Sequence, residues 1–294
     1  MLKKNKAPLV FLLILLVGAV AAIPLRTYEL FNIIDPQTGF YTQGSFTTVT
    51  LYVICAAVFA LSIASGLIFK KNLNKLRIAQ KDIFFGVCSA LLAVAFIYNS
   101  FLCFNGFIEL YTEYNELAQN FFGESQQLSL IKSSYVDKLG EAVFGSLCAV
   151  YFILTAMSAF TKFDISKIRF LALSPILWCV FRLIFRFMRT ISYINVSELF
   201  YELLTIVLVM VFFMNYAQIR SKINYKGINW KLFAFGTPAA FFALICFVPR
   251  LILTVSGKAE LITSTSSLEF TDAGIALFII SCLVSMLPSK KEAE

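Results

Sequence analysis

Eight stretches of this chain are long, continuous and apolar: residues 8–25, 47–69, 84–104, 140–160, 170–189, 198–219, 233–255 and 272–288. A helix needs about 20 apolar residues to cross the hydrocarbon of a bilayer. The runs lack the period-two alternation of a transmembrane barrel strand, so helices are the way they satisfy their backbone groups in lipid. Composition agrees: 59% of the 294 residues are apolar and only 14% are charged, against about a quarter charged in soluble domains. The expectation is an all-α, polytopic membrane bundle of about eight transmembrane helices, a single integral membrane domain over 1–294.

Lysine and arginine set the orientation of such a bundle. With the N-terminus in the cytoplasm, the inner segments are 1–7, 70–83, 161–169, 220–232 and 289–294, and they hold most of the 25 basic residues. The outer loops 26–46, 105–139, 190–197 and 256–271 hold only Arg26, Lys132, Lys138 and Lys258, while carrying Glu29, Asp35, Glu109, Glu113, Glu116, Glu124 and Asp137. Both termini are therefore expected inside. The net charge of +8 is placed for topology and for anionic lipid headgroups, at Lys70, Lys71, Lys75, Arg77 and Lys81 for example, not for nucleic acid. The first run follows Lys3, Lys4 and Lys6 and ends in Ala19-Val20-Ala21-Ala22, the pattern of a cleaved signal peptide. It continues through Ile23-Pro24-Leu25, which favours an uncleaved first span.

Halves of four spans each, 1–160 and 161–294, would share one orientation. Residues 47–106 align with 197–256 without a gap, placing Phe85-Gly86 on Phe235-Gly236 and Lys81 on Lys231. A parallel four-plus-four repeat is thus one reading of the chain. Two outer segments are candidate caps. In 26–46, Asp35-Pro36 and Gly39 are turn signals. In 105–139, Phe107, Leu110, Tyr111, Tyr114 and Leu117 recur at helical spacing between acids, marking an amphipathic helix that either extends the third span or lies on the membrane surface. Small residues at 18 and 22, and the alanines at 56, 60 and 64, are stripes that allow close helix approach within the bundle, or between copies of it.

Charges at membrane depth carry the most functional information. Arg182, Arg186 and Arg189 share one helix face in the fifth span. The short turn near 190–197 makes spans five and six an antiparallel hairpin, which pairs Arg189 with Glu198 and Arg186 with Glu202. Arg182 is then left near the midplane without an acid. Either it is pinned structurally, by Asn99, Tyr98 or Asn215, or it binds an anionic group such as a carboxylate or phosphate. Arg250 follows Pro249 near the outer end of span seven, where the proline either breaks the helix at a cavity or only kinks it. Depth alone suggests Glu141 as the partner of Arg250. The candidate ligand residues are Arg182, Asn99 and Arg250, framed by Arg186, Arg189, Glu198 and Glu202.

Other chemistry is poorly supplied. The chain has no histidine, which removes His-based catalysis, His-ligated metal and haem. The seven cysteines are scattered through apolar runs without a C-x-x-C pair, as packing residues would be. No phosphate-binding glycine loop is present. The expectations are no metal, no cofactor and no enzyme.

The run Ser174-Pro175-Ile176-Leu177-Trp178 through Arg182 to Ile194-Asn195-Val196-Ser197-Glu198 resembles multi-pass membrane proteins of Gram-positive, clostridial-type bacteria that carry no assigned activity. The resemblance covers spans five and six and implies a bacterial cell membrane as the location. Two functions follow as expectations. The first is a membrane transport or small-ligand-binding protein with a buried arginine site for an anionic small ligand. The alternative is a scaffold or sensor subunit that engages a membrane protein partner, its charges purely structural.

Overall fold

The computed structural model describes residues 7–35, 41, 46–76, 82–120, 126–161, 168–188, 196–222, 227–258, 261 and 269–287, with the backbone alone at 119–120, 126–127, 130, 185–188 and 196–198. The described residues are helical throughout, apart from turns and one isolated antiparallel bridge between Ile34 and Tyr41. The helices are α1 (Ala7–Asn32), α2 (Phe46–Ile68), the single turn α3 (Lys70–Leu73), α4 (Ile83–Asn120), α5 (Gln126–Phe160), α6 (Ser174–Met188), α7 (Val196–Arg220), α8 (Asn229–Val255) and α9 (Phe270–Ser285).

Six of these, α1, α2, α4, α5, α7 and α8, are long and apolar enough to cross a bilayer. The chain is a multi-pass, all-α membrane protein. The segments expected as the fifth and eighth spans form shorter helices. A 3₁₀ turn over Phe170–Leu173 leads into the 15 residues of α6, and α9 has 16 residues. At 1.5 Å per residue α9 extends roughly 24 Å, short of a hydrocarbon core of about 30 Å. It is buried along most of its length between α8 and α4.

Six helices close a ring in which each touches the next: α4, α5, α6, α7, α8, α9 and back to α4. Aromatic side chains fill the interior of the ring. Phe152 of α5 lies 5.7 Å from Phe96 of α4, 5.7 Å from Phe213 of α7 and 5.1 Å from Phe278 of α9, and Phe96 meets Trp178 of α6 edge-on at 5.0 Å. Offset and edge-to-face contacts of this kind each add about 0.5–1.5 kcal/mol beyond area burial. The first two helices pack outside the ring against α8. Helix α8 is consequently covered on all sides and apolar all round, as a central helix must be. It runs unbroken through Pro238 and Pro249, so the helix break considered at Pro249 does not occur. Pro175 falls in the first turn of α6, where a missing N–H costs little.

Close approach is made by glycine more than by alanine. A Cβ on Gly18 would stand 2.6 Å from Val58 of α2 and 3.1 Å from Phe241 of α8, so the stripe at 18 and 22 is where α1, α2 and α8 meet. The alanine stripe does not pack inside as expected. Ala56, Ala60 and Ala64 are exposed, and α2 buries Leu51, Cys55, Val58, Ser62 and Gly66 instead. The seven cysteines are free and buried.

The amphipathic segment 105–139 extends the third span. Helix α4 has 38 residues, on the order of 57 Å, so it projects well past the hydrocarbon with α5 antiparallel beside it. This pair forms the most extensive helix contact in the molecule. Tyr135 clasps the projecting part against Phe107, Tyr111 and Tyr114 at 6.1, 5.6 and 5.4 Å, while Glu109, Glu113 and Glu116 face outward. In the other cap, α1 continues to Asn32. Leu30 and Ile34 then pack with Tyr41 and Leu261 on Leu253, near the end of α8.

Candidate functional site: a buried charge cluster at one end of the bundle

Six elements bring ionisable side chains to the end of the bundle from which the α4–α5 hairpin projects. The ends of α1 and α8, the C-terminal half of α6, and the starts of α7 and α9 meet there, alongside the base of the hairpin. Three arginines are buried, Arg26, Arg182 and Arg250, exposed by 3%, 5% and 3%. Burying a guanidinium costs several kcal/mol unless it is paired, and each has an acid.

Arg182 donates a charged hydrogen bond to Glu269, immediately before α9, and its Nε stands 3.7 Å from Glu141 of α5. Its guanidinium also lies 5.1 Å from the ring of Trp178, one turn back on α6, a cation–π contact. The expectation that Arg182 lacks an acid is therefore overturned. Glu269 lies outside the apolar runs, and only the folding of α9 against α8 and α4 carries it to this depth. Cys103 of α4 donates its thiol hydrogen to the other oxygen of Glu141 at 3.5 Å. Arg182 thus ties α5, α6 and α9 together above the aromatic filling of the ring.

Arg250 donates to Glu202 of α7 at 2.6 Å, so the pairing of Arg250 with Glu141 is also corrected. Asp272, one turn into α9, lies in the electrostatic field of Arg182, Arg250, Glu269 and Glu202, which joins the two ion pairs into one network. Arg186, Arg189 and Glu198, expected to form the stacked pairs of the α6–α7 hairpin, lie outside the described side chains, so only Glu202 of that set is placed here. Asn99 is half-buried with its Nδ2 hydrogens unpartnered among the described residues. Asn215 donates to the Val211 carbonyl of its own helix at 2.7 Å, and Tyr98 packs on Phe270. None of these three is the partner of Arg182.

The third arginine was not singled out as a site residue by sequence reasoning, because it sits past the first apolar run. Arg26 donates to Glu29, one turn on, at 3.1 Å and to the Tyr41 hydroxyl at 3.4 Å. Burial pushes the Tyr41 hydroxyl pKa upward against the lowering influence of Arg26, so Tyr41 stays a neutral phenol. The Arg26 guanidinium stacks 4.5 Å over the ring of Tyr201. Arg26, Leu30, Tyr201, Ile245, Cys246 and Arg250 line a cavity of about 200 Å³ counted to its open mouth. The part clear of side chains seats about one water molecule. Two atoms beside Arg26 have no hydrogen-bond partner among the described residues, the hydroxyl of Tyr201, which is 2% exposed, and Oε1 of Glu29, which is fully buried.

At the opposite end of the aromatic filling, Arg220 donates to the Tyr216 hydroxyl at 3.0 Å, and the Tyr216 ring meets Phe278 at 5.3 Å. No group of histidine, cysteine or acid side chains suited to a metal occurs among the described residues. The fold and the cluster define a polytopic helical membrane protein with a charged interior at one end. Comparison with known protein families, curated proteins and solved structures finds no match for the chain.

Proposed function

We propose that this chain is a membrane transport or small-ligand-binding protein of a bacterial cell membrane, with its termini in the cytoplasm and its polar site at the buried cluster of Arg26, Arg182 and Arg250. One observation carries the reading. Three arginines and the acids Glu29, Glu141, Glu202, Glu269 and Asp272 are gathered from separate helices into one end of an otherwise apolar bundle. Well-packed apolar side chains would serve stability as well as buried ion pairs do, often better. Intramembrane ionisable residues are a functional feature by default. The aromatic filling of the ring, with Arg182 above it and Arg220 below, is what a closed gate between two polar ends would look like. Arg182 acts here as a brace between two carboxylates, and Arg250 with Arg26 faces the cavity.

The filled ring also supports a second reading, a scaffold or sensor subunit whose projecting α4–α5 hairpin offers an acidic face to a membrane protein partner. One experiment separates the two. Mass spectrometry of small solutes retained by the purified protein is compared with the double variant Arg250→Met/Glu202→Leu, which removes both charges and keeps the fold. A solute held by the native chain and lost from the variant supports binding. Retention of no solute, with an intact bundle, supports the scaffold.

A further inference from the structure

We infer that the cavity between Arg26, Tyr201 and Arg250 is a binding site for a small zwitterion, a solute bearing a carboxylate and a protonated amine as an α-amino acid does. The inference rests on the ligand-binding reading above and names its solute class.

The cavity wall supplies donors. Two guanidiniums, each with N–H groups in a planar fork suited to a carboxylate, line it together with Tyr201. The Tyr201 hydroxyl is buried and unpartnered. A buried hydroxyl left in this state is costly, and a carboxylate oxygen entering the cavity would accept from it. Charge balance then excludes a simple anion. Arg26 and Arg250 already face Glu29 and Glu202. A bare anion would add an uncompensated charge beside two matched ion pairs, in a medium that screens poorly. A zwitterion leaves the sum unchanged. The second orphan, Oε1 of Glu29, lies behind the lining, an acceptor with no donor on a carboxylate whose other oxygen is held by Arg26 at 3.1 Å, and an ammonium that reaches past Arg26 would donate to it. An unpartnered donor and an unpartnered acceptor thus flank one guanidinium. Because the space clear of side chains is small, the smallest members of the class fit with the least displacement.

The test is equilibrium binding of labelled glycine to the full-length protein in detergent micelles, with acetate, methylammonium and betaine as competitors. Glycine is expected to bind saturably, about one per chain. Acetate carries only the acid, methylammonium only the amine, and betaine has no N–H for Glu29; each is expected to compete at least about ten-fold more weakly, the loss of one charged hydrogen bond. Tyr201→Phe keeps the ring beneath Arg26 and removes only the hydroxyl. It is expected to weaken glycine binding about ten-fold while leaving thermal unfolding without ligand unchanged or raised. Glu29→Gln is expected to abolish the preference for glycine over acetate.

Absence of saturable glycine binding overturns the inference, as does binding that both variants leave unaltered. Equal competition by acetate overturns the zwitterion and leaves an anion site. If glycine fails while another solute is retained and is lost with Arg250→Met/Glu202→Leu, this inference falls and the ligand-binding reading stands. If glycine fails and no solute is retained, both fall.

Discussion

Arg250 of α8 and Glu202 of α7 face each other at 2.6 Å, both almost fully buried. The pair joins two helices of the ring at the depth where α1 and α9 also converge. Removing one partner takes the nearest counterion from a buried charge, and breaking a buried pair in this way costs about 3–5 kcal/mol. Glu202→Ala and Arg250→Ala are each expected to destabilise the bundle by that amount, read from unfolding of the purified protein in detergent. The double variant Glu202→Leu/Arg250→Met is expected to recover most of the loss. A double variant as unstable as the sum of the singles would mean the two side chains do not act as a pair.

Helix α1 tests the packing side of the fold. A methyl group at Gly18 would press on Val58, whose branched side chain has little freedom, and on the fully buried Phe241. Overpacking of this kind costs about 1–3 kcal/mol. Gly18→Ala is expected to lower the unfolding midpoint, and Gly18→Val to lower it further. Ala60→Val, on the exposed face of α2, is expected to leave it unchanged. If the two sites responded alike, the alanine stripe would be covered by another chain.

The helices and their order were legible because apolar runs of this length have few alternatives in lipid. The lengths of α6 and α9 were less so, since a helix buried among its neighbours is as apolar as one that spans. Partner choice divided in an instructive way. Treating consecutive spans as antiparallel hairpins pairs residues equidistant from the turn. Glu202 and Arg250 are equidistant from residue 226, the middle of the 220–232 loop, so the same rule applied to α7 and α8 recovers the observed pair. The dense arginines of α6 draw the rule to α6 and α7 instead. Nothing local could have paired Arg182 with Glu269, because that contact depends on α9 closing the ring against both α8 and α4. Arg26 is a rare cation among the loops expected outside, but its burial is set by Tyr41, by Tyr201 of α7 and by α8, which the fold brings around it.

The projecting hairpin is held by aromatic contacts that can be loosened without touching the membrane core. Tyr135 meets Phe107, Tyr111 and Tyr114, each pair contributing about 0.5–1.5 kcal/mol. Tyr135→Ala is expected to speed amide hydrogen exchange in 105–117 and 131–138 by at least about ten-fold, a change of roughly 1.4 kcal/mol in local opening. Protection in α8 is expected to stay as it was. Loss of protection in both regions would show that the hairpin and the ring unfold as one unit.

The distribution of lysine and arginine predicts an absolute orientation, and the structure supplies an internal control for it. Lys70 stacks 5.4 Å over Trp230, and the Trp230 backbone N–H donates to Asn74 at 3.3 Å. The turn after α2 and the start of α8 therefore share one end of the bundle. Lys258, just beyond α8, stacks 4.9 Å over Phe31 at the far end of α1. The native cysteines are buried, so single cysteines placed at exposed sites should label over a low background. With a membrane-impermeant maleimide on intact cells, Glu113→Cys and Lys258→Cys are expected to react directly, and Lys71→Cys and Lys222→Cys only after permeabilisation. Reversal of all four would invert the orientation and leave the fold intact. A split between 71 and 222, or between 113 and 258, would contradict the helix arrangement itself.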